Sequence, residues 1–246
     1  MTSASTRHLP RGLQIIHEDR DIIVIDKPAG LLTMATDSDK TRTAYFMLTD
    51  YVRKGYSKSR NRIFIVHRLD RETSGILIFA KTIEAKLFLQ DHWGGTQKKY
   101  LAVVHGHCAK KIDTIATYLA ENKASFVYST PDARKGRLSR TAYKVLKQTR
   151  DLALLEVDLL TGRKHQIRVH LADLGHPVVG DTKYGKNSRG HGRLALHAHS
   201  LSFKHPFSRT QLTFETKVPT YFNQLVGNIN VHDSAAEAKS QATHRI

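Results

Sequence analysis

The second half of the chain is cut into short apolar or alternating runs, and that punctuation limits the fold more than any other feature. Lys99–His105, Thr141–Lys147, Leu152–Leu160, Leu194–Phe203 and Gln211–Val218 each alternate or run apolar, with turn residues between them. One segment breaks the period. In Lys164–Leu174, Ile167, Leu171 and Leu174 repeat at i, i+4 and i+7, Thr161 lies upstream as a candidate cap, and Gly175 follows as a stop. The first half adds a β-branched pair, Leu13–His17 and Asp21–Asp26, and two short buried strands, Ile63–Val66 and Gly75–Ala80. Helical spacing marks Thr43–Lys54 and Glu84–Trp93, the second stopped by Gly94-Gly95. Helices embedded among strands predict an α+β fold around a mixed, mostly antiparallel central sheet with flanking helices.

At 246 residues and 40% hydrophobic content, the chain can build one sizeable core or two subdomains sharing one. Residues 13–228 are expected to form the working part, with 1–12 and 229–246 as polar, flexible tails. Lys and Arg number 39 against 22 Asp and Glu, a formal net charge of +17, which favours a polyanionic partner. Nucleic acid is the first candidate and an anionic membrane the second. Cys108 stands alone, which excludes a disulfide framework within the chain and any zinc site built from several cysteines. Met1–Gly12 has no apolar h-region behind it and no apolar run approaches spanning length, so the expected location is cytoplasmic, with no membrane contact.

Between Arg53 and Arg71 the chain carries seven Lys and Arg residues, and Asp70 is the only acid. A carboxylate in such a cationic field is expected to be an anion, and an anion beside a site for an anionic partner needs a reason. Two readings compete: a surface ion pair or turn cap, and a catalytic carboxylate. Its place in a polar stretch between two apolar runs favours the second. In the segment from Thr161 to Leu171, His165 and Arg168 stand three apart on one helical face, while Ile167 and Leu171 anchor the neighbouring one. Arg168 could present its planar fork to a carboxylate, or belong to a solvated basic edge. His165 and His170 are five apart, without a His-Glu-x-x-His pattern, so no metal site is expected despite 15 histidines.

Four segments together carry a resemblance. His67-Arg68-Leu69-Asp70-Arg71-Glu72-Thr73-Ser74-Gly75 resembles the catalytic motif of RluA-type pseudouridine synthases, His-Arg-Leu-Asp, two variable residues, then Thr-Ser-Gly. Thr161–Asp181 is similar to that family's second long motif, Asp26–Leu31 to its first, and Lys98-Lys99-Tyr100 to its short central one. The motifs fall in the family's order over about residues 13 to 220. The resemblance implies a pseudouridine synthase-like fold with a catalytic cleft, and an RNA uridine isomerase. Asp70 is then the catalytic aspartate, Tyr100 the tyrosine that stacks on the target base, Arg168 the basic partner of Asp70, and Arg68 an arginine that helps displace the nucleotide. Some relatives carry a small RNA-binding domain ahead of the catalytic one. The twelve residues before Leu13 are too few for it.

The implied reaction breaks C1′–N1, turns the uracil over and joins C1′ to C5, with no redox change, so neither a cofactor nor a metal is expected. A stacked base cannot present its sugar to a buried carboxylate, so the nucleotide must be flipped out, at an unstacking cost of about a few kcal/mol. The expected partner is a stem-loop of ribosomal or transfer RNA, and the expected oligomeric state is a monomer. RNA contacts are expected from His67, Arg68, Arg71 and Thr73 around Asp70, from Lys58, Arg60 and Arg62, from Lys98 and Lys99, and from Arg163, Lys164 and His165. The competing class is a non-catalytic RNA-binding or ribosome assembly factor on the same fold, which an isomerisation assay separates from the enzyme.

Overall fold

The computed structural model describes residues 12–36, 39–56, 58–185 and 192–229. The tails expected before Leu13 and after 228 lie almost wholly outside the described residues. In chain order the elements are β1 (Gln14–Glu18), β2 (Ile22–Lys27), α1 (Ala44–Arg53), β3 (Phe64–Ile65), β4 (Ser74–Ala80), α2 (Ile83–Asp91), β5 (Gln97–His105), β6 (Ile112–Glu121), β7 (Val127–Thr130), β8 (Arg137–Gln148), β9 (Leu152–Leu159), α3 (Gln166–Asp173), β10 (Leu196–Lys204), β11 (Gln211–Glu215) and α4 (Thr220–Val226). The fold is mixed α+β, and all but one of its strand pairs with a described register are antiparallel. The described residues divide into two compact units, those up to Lys99 with Leu196–Thr216, and Tyr100–Ala195 with those from Lys217 onward.

The first unit is built on β4. Every residue of its sequence SGILIFA is buried, as expected for a strand covered on both faces. β2 pairs with it antiparallel from Ile22↔Ala80 to Lys27↔Gly75, and β1 pairs with β2. Ile22 and Val24 of β2 and Ile76 and Ile78 of β4 form one apolar face. Ala85 and Leu89 of α2, with Leu201 and Phe203 of β10, belong to the same core. Both helices start on a threonine: the hydroxyl of Thr43 accepts the amide of Phe46, and that of Thr82 accepts the amide of Ala85.

The second unit is a run of antiparallel strands in which β8 pairs with both β6 and β9, and β6 pairs with β7. Leu119, Val127 and Val169 pack together with Tyr184, which seats α3 against β6 and β7. β6, β7 and the short α4 after Pro219 were not evident from the sequence. In β6 the two isoleucines stand three apart, and β7 reads VYST, so neither shows the period of a half-buried strand. The helix expected over Lys164–Leu174 is shorter than its pattern. His165 takes a left-handed conformation (φ 53°) at the N-cap, and Thr161 does not cap it. Gly175, at φ +81°, follows the helix as expected.

Gly75 is the tightest point of the first unit. β4 and β10 run parallel with Ala198 opposite Gly75, whose φ is +112°, and a Cβ there would lie 2.2 Å from the carbonyl oxygen of Ala198. Gly75→Ala is therefore expected to destabilise the protein by at least about 3 kcal/mol, through steric overlap and a left-handed backbone together. The urea midpoint measures this, and a shift within about 0.5 kcal/mol would show that the approach is not close.

Candidate active site

Asp70 sits in the loop that joins β3 to β4, and the chain around it is tied down on all sides within the first unit. The buried hydroxyl of Thr33 donates to the carbonyl of Leu69 (3.0 Å) and accepts its amide (3.2 Å), so a single side chain satisfies both backbone groups of the residue before Asp70. The amide of Gly30 donates to the carbonyl of Arg71 (2.8 Å), and Arg71 Nε returns a bond to the Gly30 carbonyl (3.1 Å). The amide of Thr73 closes a turn on the carbonyl of Asp70 (3.2 Å).

The strongest tie is a fully buried lysine. Lys27 Nζ donates to the carbonyls of Pro28 (3.0 Å), Leu31 (2.7 Å) and Arg71 (3.1 Å), one acceptor for each N–H of an ammonium. Burial pushes its pKa down to about 8, against the opposing pull of Glu72, Asp70 and Asp26. Lys27 thus places a positive charge within electrostatic reach of Asp70 while joining the loop after β2 to the loop before β4.

Ser74, at the start of β4, extends the same scaffold. The hydroxyl of Thr216 donates to the carbonyl of His199 (3.2 Å) and therefore accepts from His197 Nε2 (2.7 Å). That leaves His197 Nδ1 to accept the hydroxyl proton of Ser74 (2.9 Å). The Thr-Ser-Gly run after Asp70 is thus a closed turn, a side-chain anchor and a close approach, in that order.

In the second unit, Arg168 makes the two-point contact its chemistry allows. Nε donates to Asp181 Oδ2 (2.7 Å) and Nη2 to Asp181 Oδ1 (2.8 Å), with both residues buried. Burial alone would raise the Asp181 carboxyl, but Arg168 and the amides of Tyr184 and Lys183 hold it below the usual carboxylate range. The guanidinium also lies over the ring of Tyr184, 5.2 Å from its centroid. The family resemblance made Asp70 the partner of this fork, while the helical spacing alone left its partner open. Two of its five N–H donors serve Asp181, a carboxylate beyond the helix that no periodicity links to Arg168.

Side-chain amides and imidazoles hold α3 in place. Gln166 Oε1 accepts from Thr161 Oγ1 and the Arg163 amide, and its Nε2 donates to the Arg140 carbonyl and Thr141 Oγ1. His170 bridges Thr141 and Thr117, and burial pushes its pKa down to about 4, so it is neutral. Tyr100 lies on β5 and is 8% exposed.

Of the residues expected at RNA, Lys58, Arg60, Arg62, Arg68, Arg71 and Arg163 are exposed. Others are engaged by the protein. His67 Nε2 accepts the amide of Ile78 (3.2 Å) and its ring lies against Trp93. Burial, helped by the Lys98 ammonium, pushes its pKa down to about 3. Thr73 is buried, Lys98 donates to the carbonyl of Trp93, Lys164 pairs with Glu121, and His165 Nδ1 meets the hydroxyl of Tyr184 (2.7 Å). Asp19, Asp21 and His205 bring ligand-type atoms within 4.8 Å of one another. They already form a hydrogen-bonded knot. His205 Nδ1 accepts two backbone amides, so its proton sits on Nε2, facing Asp19, which also receives His17 and the amides of Asp21 and Ile22. A metal would have to displace that proton and break the knot.

Residues 21–173 match the family model described as RNA pseudouridylate synthase. The chain belongs to the RNA pseudouridylate synthase family. A ribosomal large subunit pseudouridine synthase C of Rickettsia bellii is 35% identical over 86% of this chain and 70% of its own. A tRNA pseudouridine synthase C of Haemophilus ducreyi is 32% identical over 89% of this chain and 97% of its own. A human RNA pseudouridylate synthase domain containing 1 structure, 24% identical, shares the fold with a TM-score of 0.72 over 97% of each chain. The protein is an RNA pseudouridine synthase, an isomerase that converts uridine to pseudouridine. No helix among the described residues is long and apolar enough to cross a membrane.

Sequence reading of this synthase gave Lys27 no role. Its signal was a lysine closing the apolar run Ile22–Asp26 just before Pro28. Lys27→Met leaves three buried carbonyls without a donor but removes the cost of a buried ammonium, for an expected net destabilisation of about 2 kcal/mol near neutral pH. An unfolded lysine titrates near 10.5 and this one near 8. Between those values the unfolded chain binds more protons, so the wild type gains stability from this group as pH rises. The deficit of Lys27→Met, measured by denaturant midpoints, should therefore be larger at about pH 9.5 than at about pH 7. A deficit independent of pH would show that Lys27 titrates as a solvated lysine does.

Proposed function

We propose that the synthase acts on a uridine of large-subunit ribosomal RNA or transfer RNA, and that Asp70 is the group that works on its ribose. The observation that carries this reading is the immobilised loop. Leu69, Arg71 and Thr73 are each hydrogen-bonded in place around Asp70, while Arg68 and Arg71 remain exposed beside it. A carboxylate fixed before the substrate arrives costs no reorganisation during reaction, which is the condition for effective electrostatic catalysis.

The chemistry needs little else. The C1′–N1 bond breaks, the uracil turns, C1′ joins C5, the C5 proton leaves and N1 acquires one. The atoms balance without oxidant, metal or cofactor. Asp70 either attacks C1′ or removes a C2′ proton. Tyr100 offers a ring to the base, Arg168 a cation held by Asp181, and Arg68 a guanidinium that helps draw the nucleotide from its stack. Lys58, Arg60 and Arg62 hold phosphates. The RNA classes come from the names of the relatives, which include ribosomal and transfer RNA enzymes.

Asp70→Asn removes the anion and keeps its shape. Turnover should fall by at least about a hundredfold, the lower bound for loss of one acid–base group, while RNA affinity stays within about twofold. Turnover near wild type would remove Asp70 from the chemistry. Mapping pseudouridine across the transcriptome, with and without the gene, names the RNA by the site that disappears.

A further inference from the structure

The first unit contains a cleft of about 640 Å³ built from the β1–β2 turn, the end of α1, the segment before β3 and the start of α2. Arg20, Lys54, Arg60, Arg62 and Lys81 line it, against the carboxylates of Glu18 and Glu84. Glu18 is spoken for: its two oxygens take Lys81 Nζ (2.8 Å) and the hydroxyl of Tyr51 (2.8 Å). Arg20, Lys54, Arg60 and Arg62 are exposed, and none has a carboxylate partner among the described residues. Arg62 lies over the ring of Phe64, 5.1 Å from its centroid.

The walls of the cleft are fixed in place. Arg53 Nε donates to the carbonyl of Asn61 (3.2 Å), and Asn61 Nδ2 donates to the carbonyl of Val52 (3.3 Å), which staples the Arg60–Arg62 segment to the last turn of α1. The positive end of α2 opens on the same space, behind the Thr82 cap. Four cations without an ion-pair partner among the described residues, around a hollow that Glu84 also lines and with an aromatic ring in its wall, leave an excess of positive charge that suits a phosphodiester backbone. A flat anionic bilayer cannot enter a concave cleft.

The strand register gives its distance from Asp70. Phe64 pairs with Ala80 at the far end of β4, whereas the Asp70 loop enters β4 at Ser74. Six residues of extended chain separate those ends by about 20 Å, at roughly 3.3 Å per residue.

We propose that this cleft is a phosphate-binding site for the substrate RNA, remote from Asp70, that grips the stem about 20 Å from the reacting uridine. The inference rests on the reading of Asp70 as the reacting carboxylate and adds where the rest of the RNA is held. The grip lets the enzyme spend binding energy on a paired region while the target nucleotide leaves its stack.

The test compares full-length wild type, R20E/K54E, and K204E/K217E, which carries the same charge change at exposed lysines outside the cleft. The probes are an RNA hairpin of about 20 base pairs and phosphatidylglycerol vesicles, titrated over a range of salt. R20E/K54E should weaken hairpin binding at least tenfold at about 0.1 M salt and flatten log K against log salt by about two, at roughly 0.9 per lost duplex phosphate. K204E/K217E should lose clearly less, and vesicle binding should be weak for all three. Equal losses in both variants, an unchanged slope in R20E/K54E, or vesicle binding that depends on Arg20 and Lys54 would each overturn the proposal. Wild-type isomerisation of ribosomal and transfer RNA transcripts, run in parallel, tests the underlying reading separately. On any RNA that the wild type converts, R20E/K54E should raise KM and leave kcat unchanged, whereas a lowered kcat would place the cleft at the chemistry and contradict the inference.

Discussion

A lysine ammonium shut away from water must find an acceptor for each proton, and Lys27 finds them in the carbonyls of Pro28, Leu31 and Arg71. Those carbonyls belong to two loops far apart in sequence, so one side chain locks the exit of β2 to the approach of β4. The Asp70 loop depends on that lock, because its other ties, the Thr33 hydroxyl on Leu69 and the Gly30 amide on Arg71, join the same two loops. An ammonium rather than a neutral donor also sets a charge near Asp70 that solvent cannot screen. Stability and site electrostatics therefore share one interaction.

The second unit solves a similar problem with a different ion pair. Arg168 is buried, and a buried guanidinium without a partner would be very costly. Asp181 meets it two-point, and the amides of Lys183 and Tyr184 share the carboxylate, so the turn after Gly180 is fixed to α3 by the same contact. Tyr184 then meets Arg168 with its ring and His165 with its hydroxyl. His165 and Arg168, read from the sequence as sharing a face, do converge, and they converge on a tyrosine rather than on open space. In both units several residues of the family motifs hold the chain in place: Lys27, Thr73 and Ser74 in the first, Gln166, Arg168 and Asp181 in the second.

What the sequence made legible follows from how local each signal is. The helical spacing over Thr43–Lys54 and Glu84–Trp93, the buried run Gly75–Ala80 and the stop at Gly175 depend on neighbours in the chain, and the structure bears them out to within a few residues, adding the threonine caps at Thr43 and Thr82 that the spacing did not show. Asp70 stood out because it is the lone acid of a cationic stretch. Lys27 and Asp181 were present in the quoted motifs but without roles, since both act across long separations that no spacing rule encodes. β6 and β7 escaped notice because their packing against β8 and α3, not their own alternation, makes them strands.

The buried ammonium is the claim on which the most depends, and side-chain nitrogen NMR reads it directly. In 15N-lysine-labelled protein, Lys27 should give an NH3⁺ resonance slow enough in exchange to be seen at neutral pH, and it should titrate with a midpoint of about 8. A Lys27 signal lost to fast exchange at neutral pH, or one that titrates near the ordinary lysine value of about 10.4, would contradict it.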